Sequence, residues 1–297
     1  METTRKVAIV TGASSGIGKE TVRALLGQQY HVFAAARRLE AMRDLEREGA
    51  QLVYLDLLDA RSITACVTGV LARTGKVDVL VNNAGYGSYG ALEDVPLEEA
   101  RQQFEVNLFG LAHLIKEVLP SMRKQQAGKI INVGSIGGKV WSFLGTWYQA
   151  TKFSLEGLSD CLRNELRPFG IDVVLIEPGA IKTEWAGIAV AHLSKVSANG
   201  PYREMAEKAA RFYLDTDASR GADPRVVARA ILVAATAAKP KARYVAPAAA
   251  KAALFLRWLL PDAAFDRLWG SFFGIPARVG EPAGKGRVPA ASGAWCS

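Results

Sequence analysis

Lys6-Val7-Ala8-Ile9-Val10-Thr11-Gly12-Ala13-Ser14-Ser15-Gly16-Ile17-Gly18 sets the frame for everything downstream. A short apolar, β-branched run passes directly into a glycine-rich turn, and the turn into an amphipathic segment through Gln28, the order strand, turn, helix. Glycines at these positions let the backbone approach a pyrophosphate and let the helix start tightly against the strand. The helix N-terminus then offers free N–H groups and a positive dipole end to the phosphates. Fixing only Thr11, Gly12, Gly16 and Gly18, a chance match in a chain of this length is about 1 in 100. Gly12, Ser14, Ser15, Gly16, Ile17 and Gly18 are therefore expected around a dinucleotide.

The same alternation continues. A second strand, Val32–Ala36, ends in Arg37-Arg38, where a fold that selects NAD usually places an acid for the ribose hydroxyls. Two guanidinium groups suit the 2′-phosphate of NADP instead, with Arg37 expected to lead and Arg38 to assist. A third strand closes with Asp56-Leu57, suited to the adenine end, and a fourth, Val77–Val81, runs into Asn82-Asn83-Ala84-Gly85. Strands alternating with helical periods predict a Rossmann-type, doubly wound parallel sheet of about seven strands with helices on both faces, its ligand groups at the carboxyl ends. Pro178-Gly179 and Thr183 follow the sixth strand at that same edge, where they suit a nicotinamide amide.

Tyr148-Gln149-Ala150-Thr151-Lys152 sets a phenol and an ammonium one helical turn apart, about 6 Å between Cβ atoms. A phenol titrates near ~10, and a neighbouring cation favours its ionised form, so such a tyrosine can exchange a proton with a carbonyl or alcohol oxygen. Ser135 stands at the carboxyl end of the fifth strand, Lys129–Val133. Asn107 interrupts the apolar stripe of a helix that opens after Asp94-Val95-Pro96. An amide there needs either a core partner or a held water.

Composition narrows the classes. The chain has 297 residues, 49% hydrophobic, and a net charge of +8. Residues 190–297 carry 16 basic and 8 acidic side chains and so hold the whole excess. No nucleic-acid motif accompanies it, and acidic lipid headgroups or an anionic cofactor are the better match. Cys66, Cys161 and Cys296 form no metal-ligand spacing, so no metal is expected. No signal peptide or membrane span is expected either, which predicts a cytoplasmic protein with, at most, peripheral membrane contact.

In family order and spacing, Thr11-Gly12-xxx-Gly16-x-Gly18, Asp56, Asn82-Asn83-Ala84-Gly85, Asn107, Ser135, Tyr148-xxx-Lys152 and Pro178-Gly179 resemble the short-chain dehydrogenase/reductase family over about residues 5–250. The paired arginines and the C-terminal extension look like the branch containing 17β-hydroxysteroid dehydrogenase type 1 and retinol dehydrogenases. The resemblance implies NADP(H) as cofactor and a homodimer or homotetramer. It also implies a mechanism in which Lys152 holds the nicotinamide ribose and lowers the Tyr148 pKa, Ser135 and Tyr148 donate to the substrate oxygen, and Asn107 holds a water. Ile136, Val140, Trp141, Phe143, Trp147, Trp185 and Ile188 are expected to wall a pocket for a bulky apolar ketone, aldehyde or alcohol. A cofactor-sensing or membrane-associated interaction protein is the alternative.

One domain is expected over residues 1–275, with a substrate loop at 184–222 and a helical extension at 247–275, then a disordered tail at 276–297. Within the extension, Phe265, Leu268, Trp269, Phe272 and Phe273 read as one apolar helix face, expected to cover the pocket or a neighbouring subunit in preference to a membrane.

Overall fold

A computed structural model describes residues 5–274. The apolar runs form seven strands: β1 (Val7–Thr11), β2 (His31–Ala36), β3 (Gln51–Tyr54), β4 (Val79–Asn82), β5 (Gly128–Val133), β6 (Ile171–Pro178) and β7 (Arg243–Ala246). They pair in parallel in the order β3-β2-β1-β4-β5-β6-β7, the expected Rossmann-type sheet. The order reverses between β1 and β4, so connections leave these neighbours toward opposite faces and a crevice opens at their carboxyl ends.

Helices α1 (Gly16–Leu26), α2 (Arg43–Arg47), α3 (Ala60–Thr74), α4 (Leu97–Phe104), α5 (Gly110–Gln125) and α6 (Thr146–Leu166) alternate with the strands. After β6 come α7 (Glu184–Ser197), α8 (Arg203–Arg220) and α9 (Arg225–Thr236), and after β7, α10 (Ala250–Leu259) and α11 (Asp262–Phe272). All five residues of β1 are buried, as a strand covered on both faces requires. Its alternate side chains feed two cores. Val7 and Ile9 join Leu114 and Ile115 of α5 and Leu155 of α6, while Ala8 and Val10 join Val22 and Leu25 of α1 and Ile231 of α9.

Three elements depart from the sequence expectation. The single helix expected after Pro96 is α4, a π-helical turn at Glu105–Phe109, and then α5. Phe104, Val106, Leu108 and Leu111 cannot share one face at 3.6 residues per turn; the wider π turn reorients the stripe and buries Asn107. The expected substrate loop at 184–222 is two helices, α7 and α8. Their contact is built from Ala189, Leu193, Ala206 and Ala209, residues too small to give a strong apolar period. The face expected on α11 is split, with Phe265 and Phe273 buried and Leu268 and Phe272 exposed. Packing uses the narrow i, i+4, i+8 row through Trp269, whose ring stacks on Phe265.

That row docks on Trp141 and Phe143, and Phe273 also reaches Phe212 of α8, so the extension covers the segment between Ser135 and Tyr148. Outward, α10 exposes Phe255, Trp258 and Leu259. No described helix is long and apolar enough to cross a membrane. The tail expected to be disordered lies outside the described residues. Phe265 is fully buried and sits under the Arg257 guanidinium at 5.3 Å. Phe265→Ala should lower the free energy of unfolding by about 3–5 kcal/mol in urea titration; a loss below about 1 kcal/mol would mean that α11 is not docked as described.

Candidate active site

The glycine turn is shaped by close approach. Gly12 and Gly16 have φ of +65° and +52°, and a Cβ on Gly18 would lie 2.3 Å from the Gly12 carbonyl oxygen. Ser15 precedes α1 in extended conformation without a side-chain cap bond, and the first turn of α1 carries no acid. Its leading N–H groups are thus left to an outside acceptor, which fits an anionic dinucleotide. Thr11 Oγ1 accepts from the Asn83 and Ala84 N–H groups at 3.0 and 2.9 Å and donates to the Val81 carbonyl. Asn83 Nδ2 donates to the Thr11 and Gly12 carbonyls, and Gly85 follows against Asn107. Asn83 therefore holds the turn's shape from across the seam between β1 and β4.

At the end of β2 both arginines are exposed. Arg38, expected to be secondary, donates to Ser14 Oγ at 3.3 Å and pairs with Glu184 at 3.2 Å, which places it on the glycine turn. Arg37 lies toward Tyr86, whose phenol feels its charge. Asp56 Oδ1 accepts from the Leu58 N–H and its own N–H donates to Ser62, fixing the loop after β3; Leu57 beside it is buried, its carbonyl close under Gly110. Gly179 follows Pro178 with its N–H on the Ala246 carbonyl, and Thr183 caps α7 with its methyl against Gly16.

Ser135, Tyr148 and Lys152 come together at the same edge. The Ser135 hydroxyl faces the Tyr148 phenol closely enough to favour its ionised form and accepts from the Gly137 N–H. Lys152 Nζ donates to the Val133 carbonyl at 3.0 Å and lies 5.8 Å from the phenol ring centre. Burial pushes Tyr148 up to about 12, partly opposed by the nearby Ser135 hydroxyl, and pushes Lys152 down to about 8. The expected lowering of the phenol by its neighbour is thus outweighed, in the protein alone, by removal of both groups from water. Both amide hydrogens of Asn107 go to protein partners, the Tyr86 carbonyl at 2.9 Å and Thr151 Oγ1 at 3.2 Å, and Oδ1 accepts from the Tyr86 N–H. Thr151 in turn donates to the Tyr148 carbonyl at 2.7 Å. The side chain expected to hold water is tied into the protein as a brace under the tyrosine.

An aromatic roof covers the phenol. The Trp185 and Tyr89 rings lie 5.2 and 5.6 Å from that of Tyr148, and Tyr213 lies 5.1 Å from Tyr89. Of the expected wall, Phe143 packs against this cluster and Val140 is buried nearby in sequence, whereas Ile136 is half-buried. Trp141 faces α11, Trp147 packs on Phe104 of α4, and Ile188 is exposed on the outer side of α7. Tyr89 and Thr151 were not expected from the sequence, whereas Tyr213 lies within the stretch read as a substrate loop. For Tyr89 a signal existed, since Tyr86-Gly87-Ser88-Tyr89-Gly90 sets aromatics between glycines at a strand's carboxyl end.

A doubly wound parallel sheet with a glycine turn at its switch point defines a dinucleotide-binding fold. Residues 6–192 match the family model for short chain dehydrogenases, and the chain belongs to the short-chain dehydrogenase/reductase family. A probable short-chain type dehydrogenase/reductase, VdlC, of Helicobacter pylori is 35% identical over 89% of this chain and 96% of its own. An NADPH-dependent 3-dehydrocapnine reductase of Ornithobacterium rhinotracheale is 34% identical over 89% and 96%. Among solved structures, a metagenomic short-chain oxidoreductase in complex with NADP is 30% identical, with TM-score 0.64 over 81% of this chain and 96% of its own. A Burkholderia phymatum family member in complex with NAD is 25% identical, with TM-score 0.76 over 87% and 94%.

Between pH 8 and 10.5 the native protein holds fewer protons at Lys152 than the unfolded chain does, so this residue makes stability rise with pH across that window. The unfolding free energy of the unmutated protein minus that of Lys152→Met should climb by about 2–4 kcal/mol from the bottom of the window to the top. Denaturant titrations of both proteins at several pH values check this, and a flat difference would refute the burial argument.

Proposed function

We propose that this family member is an NADP(H)-dependent oxidoreductase that interconverts a bulky apolar ketone or aldehyde and its alcohol. The observation that carries the reading is the joint placement of Ser135, Tyr148 and Lys152 beside the glycine turn and beneath an aromatic roof. The bound cofactor supplies or accepts hydride. Tyr148 donates its phenolic proton to the carbonyl oxygen as carbon takes the hydride, and in the reverse direction the tyrosinate takes the alcohol proton. Ser135 gives the same oxygen a second hydrogen bond, and the Lys152 ammonium, kept by the Val133 carbonyl, stabilises the tyrosinate left behind.

Asn107 acts at one remove by bracing Thr151 and hence the turn of α6 that carries the phenol. Gly12, Ser14, Ser15, Gly16, Ile17 and Gly18 would hold the phosphates, Asp56 and Leu57 the adenine side, and Asn83 to Gly85, Pro178, Gly179 and Thr183 the nicotinamide side. For the choice of cofactor, the arginines at the end of β2 and a relative whose name states NADPH dependence support NADP(H). Arg38, already on Ser14, is the better placed of the two for the 2′-phosphate. For the substrate, the Tyr89, Trp185, Tyr213 and Phe143 surfaces support an apolar molecule.

Turnover of NADPH against a panel of steroid, retinoid and lipid ketones tests the reaction. Tyr148→Phe should lower kcat by about 10²–10⁴-fold with NADPH affinity nearly unchanged; retention of about a tenth of the activity would remove Tyr148 as the acid. Arg38→Ala should reduce the efficiency with NADPH by about tenfold or more while sparing NADH, since a charge-assisted bond to a phosphate contributes about 1.5–3 kcal/mol. Equal loss with both cofactors would place Arg38 outside the 2′-phosphate site.

A further inference from the structure

Helix α7 carries Trp185 across the phenol, so whatever fastens α7 governs how substrate reaches Tyr148. Besides the exposed Arg38–Glu184 pair at its start, two polar clasps do this. At its far end Ser197 Oγ donates to Asp94 Oδ2 at 2.6 Å and accepts from the Ala91 N–H at 3.0 Å. Midway, His192 reaches back to the loop after β4. Its Nδ1 meets the Tyr89 carbonyl at 2.7 Å and its Nε2 pairs with Glu99 Oε1 on α4, while the Ser88 hydroxyl donates to the same carboxylate oxygen at 2.7 Å.

Both ring nitrogens meet partners: the Tyr89 carbonyl and the Glu99 carboxylate, which accept, and the Ser88 hydroxyl, which stands 3.2 Å from Nδ1 and 3.3 Å from Nε2. Burial would raise Glu99, but hydrogen bonds from Ser88 and His192, with the charges of His192 and Lys195, hold it below the usual carboxylate range. The groups facing the ring are Glu99 from α4 and the Ser88 hydroxyl and Tyr89 carbonyl from the loop. Lys195 on α7 and the Tyr86 phenol lie near the same carboxylate. Ser88 is buried and the His192 side chain only 16% exposed, which limits the water that competes for these bonds. Tyr89, whose carbonyl the ring holds, is the residue whose own ring packs on Tyr148 and Trp185.

We propose that His192, shared between Glu99 and the Tyr89 carbonyl, is a positioning residue that clasps α7 over Tyr148 and controls access of a bulky substrate to the phenol. The effect on access rests on the carbonyl-reductase reading above, whereas the clasp itself is a property of the free protein.

The test follows amide hydrogen exchange of residues 184–197 by mass spectrometry in the cofactor-free protein, alongside NADPH affinity and the kcat and KM for a lipid ketone. His192→Ala and Glu99→Gln should speed exchange of α7 by about tenfold without touching β4 or α5, a local opening. They should raise KM by about five- to tenfold with kcat within about twofold and NADPH affinity unchanged. His192→Gln, whose amide can still reach one of the two acceptors, should recover about half of the effect on a logarithmic scale.

Unchanged α7 exchange in His192→Ala, or no recovery in His192→Gln, would overturn the inference. If His192→Ala does not fold, Glu99→Gln and His192→Gln decide it by the same exchange and kinetic readouts. If the unmutated protein turns over no ketone, the proposed reaction fails, and the exchange data still accept or reject the clasp.

Discussion

One threonine hydroxyl joins the two halves of this protein. Thr11 Oγ1, itself buried, receives two backbone N–H groups from just after β4 and returns a buried bond to Val81. These strands are neighbours whose chains then diverge to opposite faces, so nothing in either βαβ path fixes one relative to the other. Each such bond contributes only about 1 kcal/mol, but an orphaned buried donor costs more. The glycine turn and the Ser135–Tyr148–Lys152 group lie on either side of this seam. Their relative placement depends on it.

Around the phenol, the fold favours dryness over stability. Lys152 and Tyr148 are both buried, and their protonation equilibria are shifted toward the neutral forms, the direction expected of groups removed from water. Aromatic side chains from four segments close over them: Tyr89 after β4, Phe143 before α6, Trp185 on α7 and Tyr213 on α8. Such a shell strengthens charge interactions inside it. It also means that the ion-stabilising partners of a reaction must arrive with the reactants.

The parallel sheet, the glycine turn and the tyrosine–lysine pair were legible because each rests on a local signal, a β-branched run, a positive-φ glycine or a helical i, i+4 pair, while Ser135 was grouped with the pair through the family resemblance. Where the signal is tertiary, the reading ran out. Small alanines at the α7–α8 contact carry no amphipathic period, and the π turn at Glu105–Phe109 changes the face on which later residues fall without marking itself in composition. Arg37 was read as leading and Arg38 as assisting, yet the two are adjacent and chemically alike, and the contact of Arg38 with Ser14 joins residues distant in the chain. The Asn107 brace was hidden for the same reason, since its partners Tyr86 and Thr151 are distant in the chain.

The buried ammonium has a bearing on how long the protein lasts in a cell. Lys152 has a single backbone carbonyl for a hydrogen-bond partner among the described residues, and the interior holds its charge at a loss. Any ligand that brings hydroxyl acceptors to that nitrogen relieves the strain and adds its own binding free energy, about 2.7 kcal/mol at a hundred times its dissociation constant. Proteases sample the unfolded fraction, so a filled molecule should outlive an empty one. Abundance would then follow the supply of the small molecule the crevice holds, without a regulator or a change in synthesis.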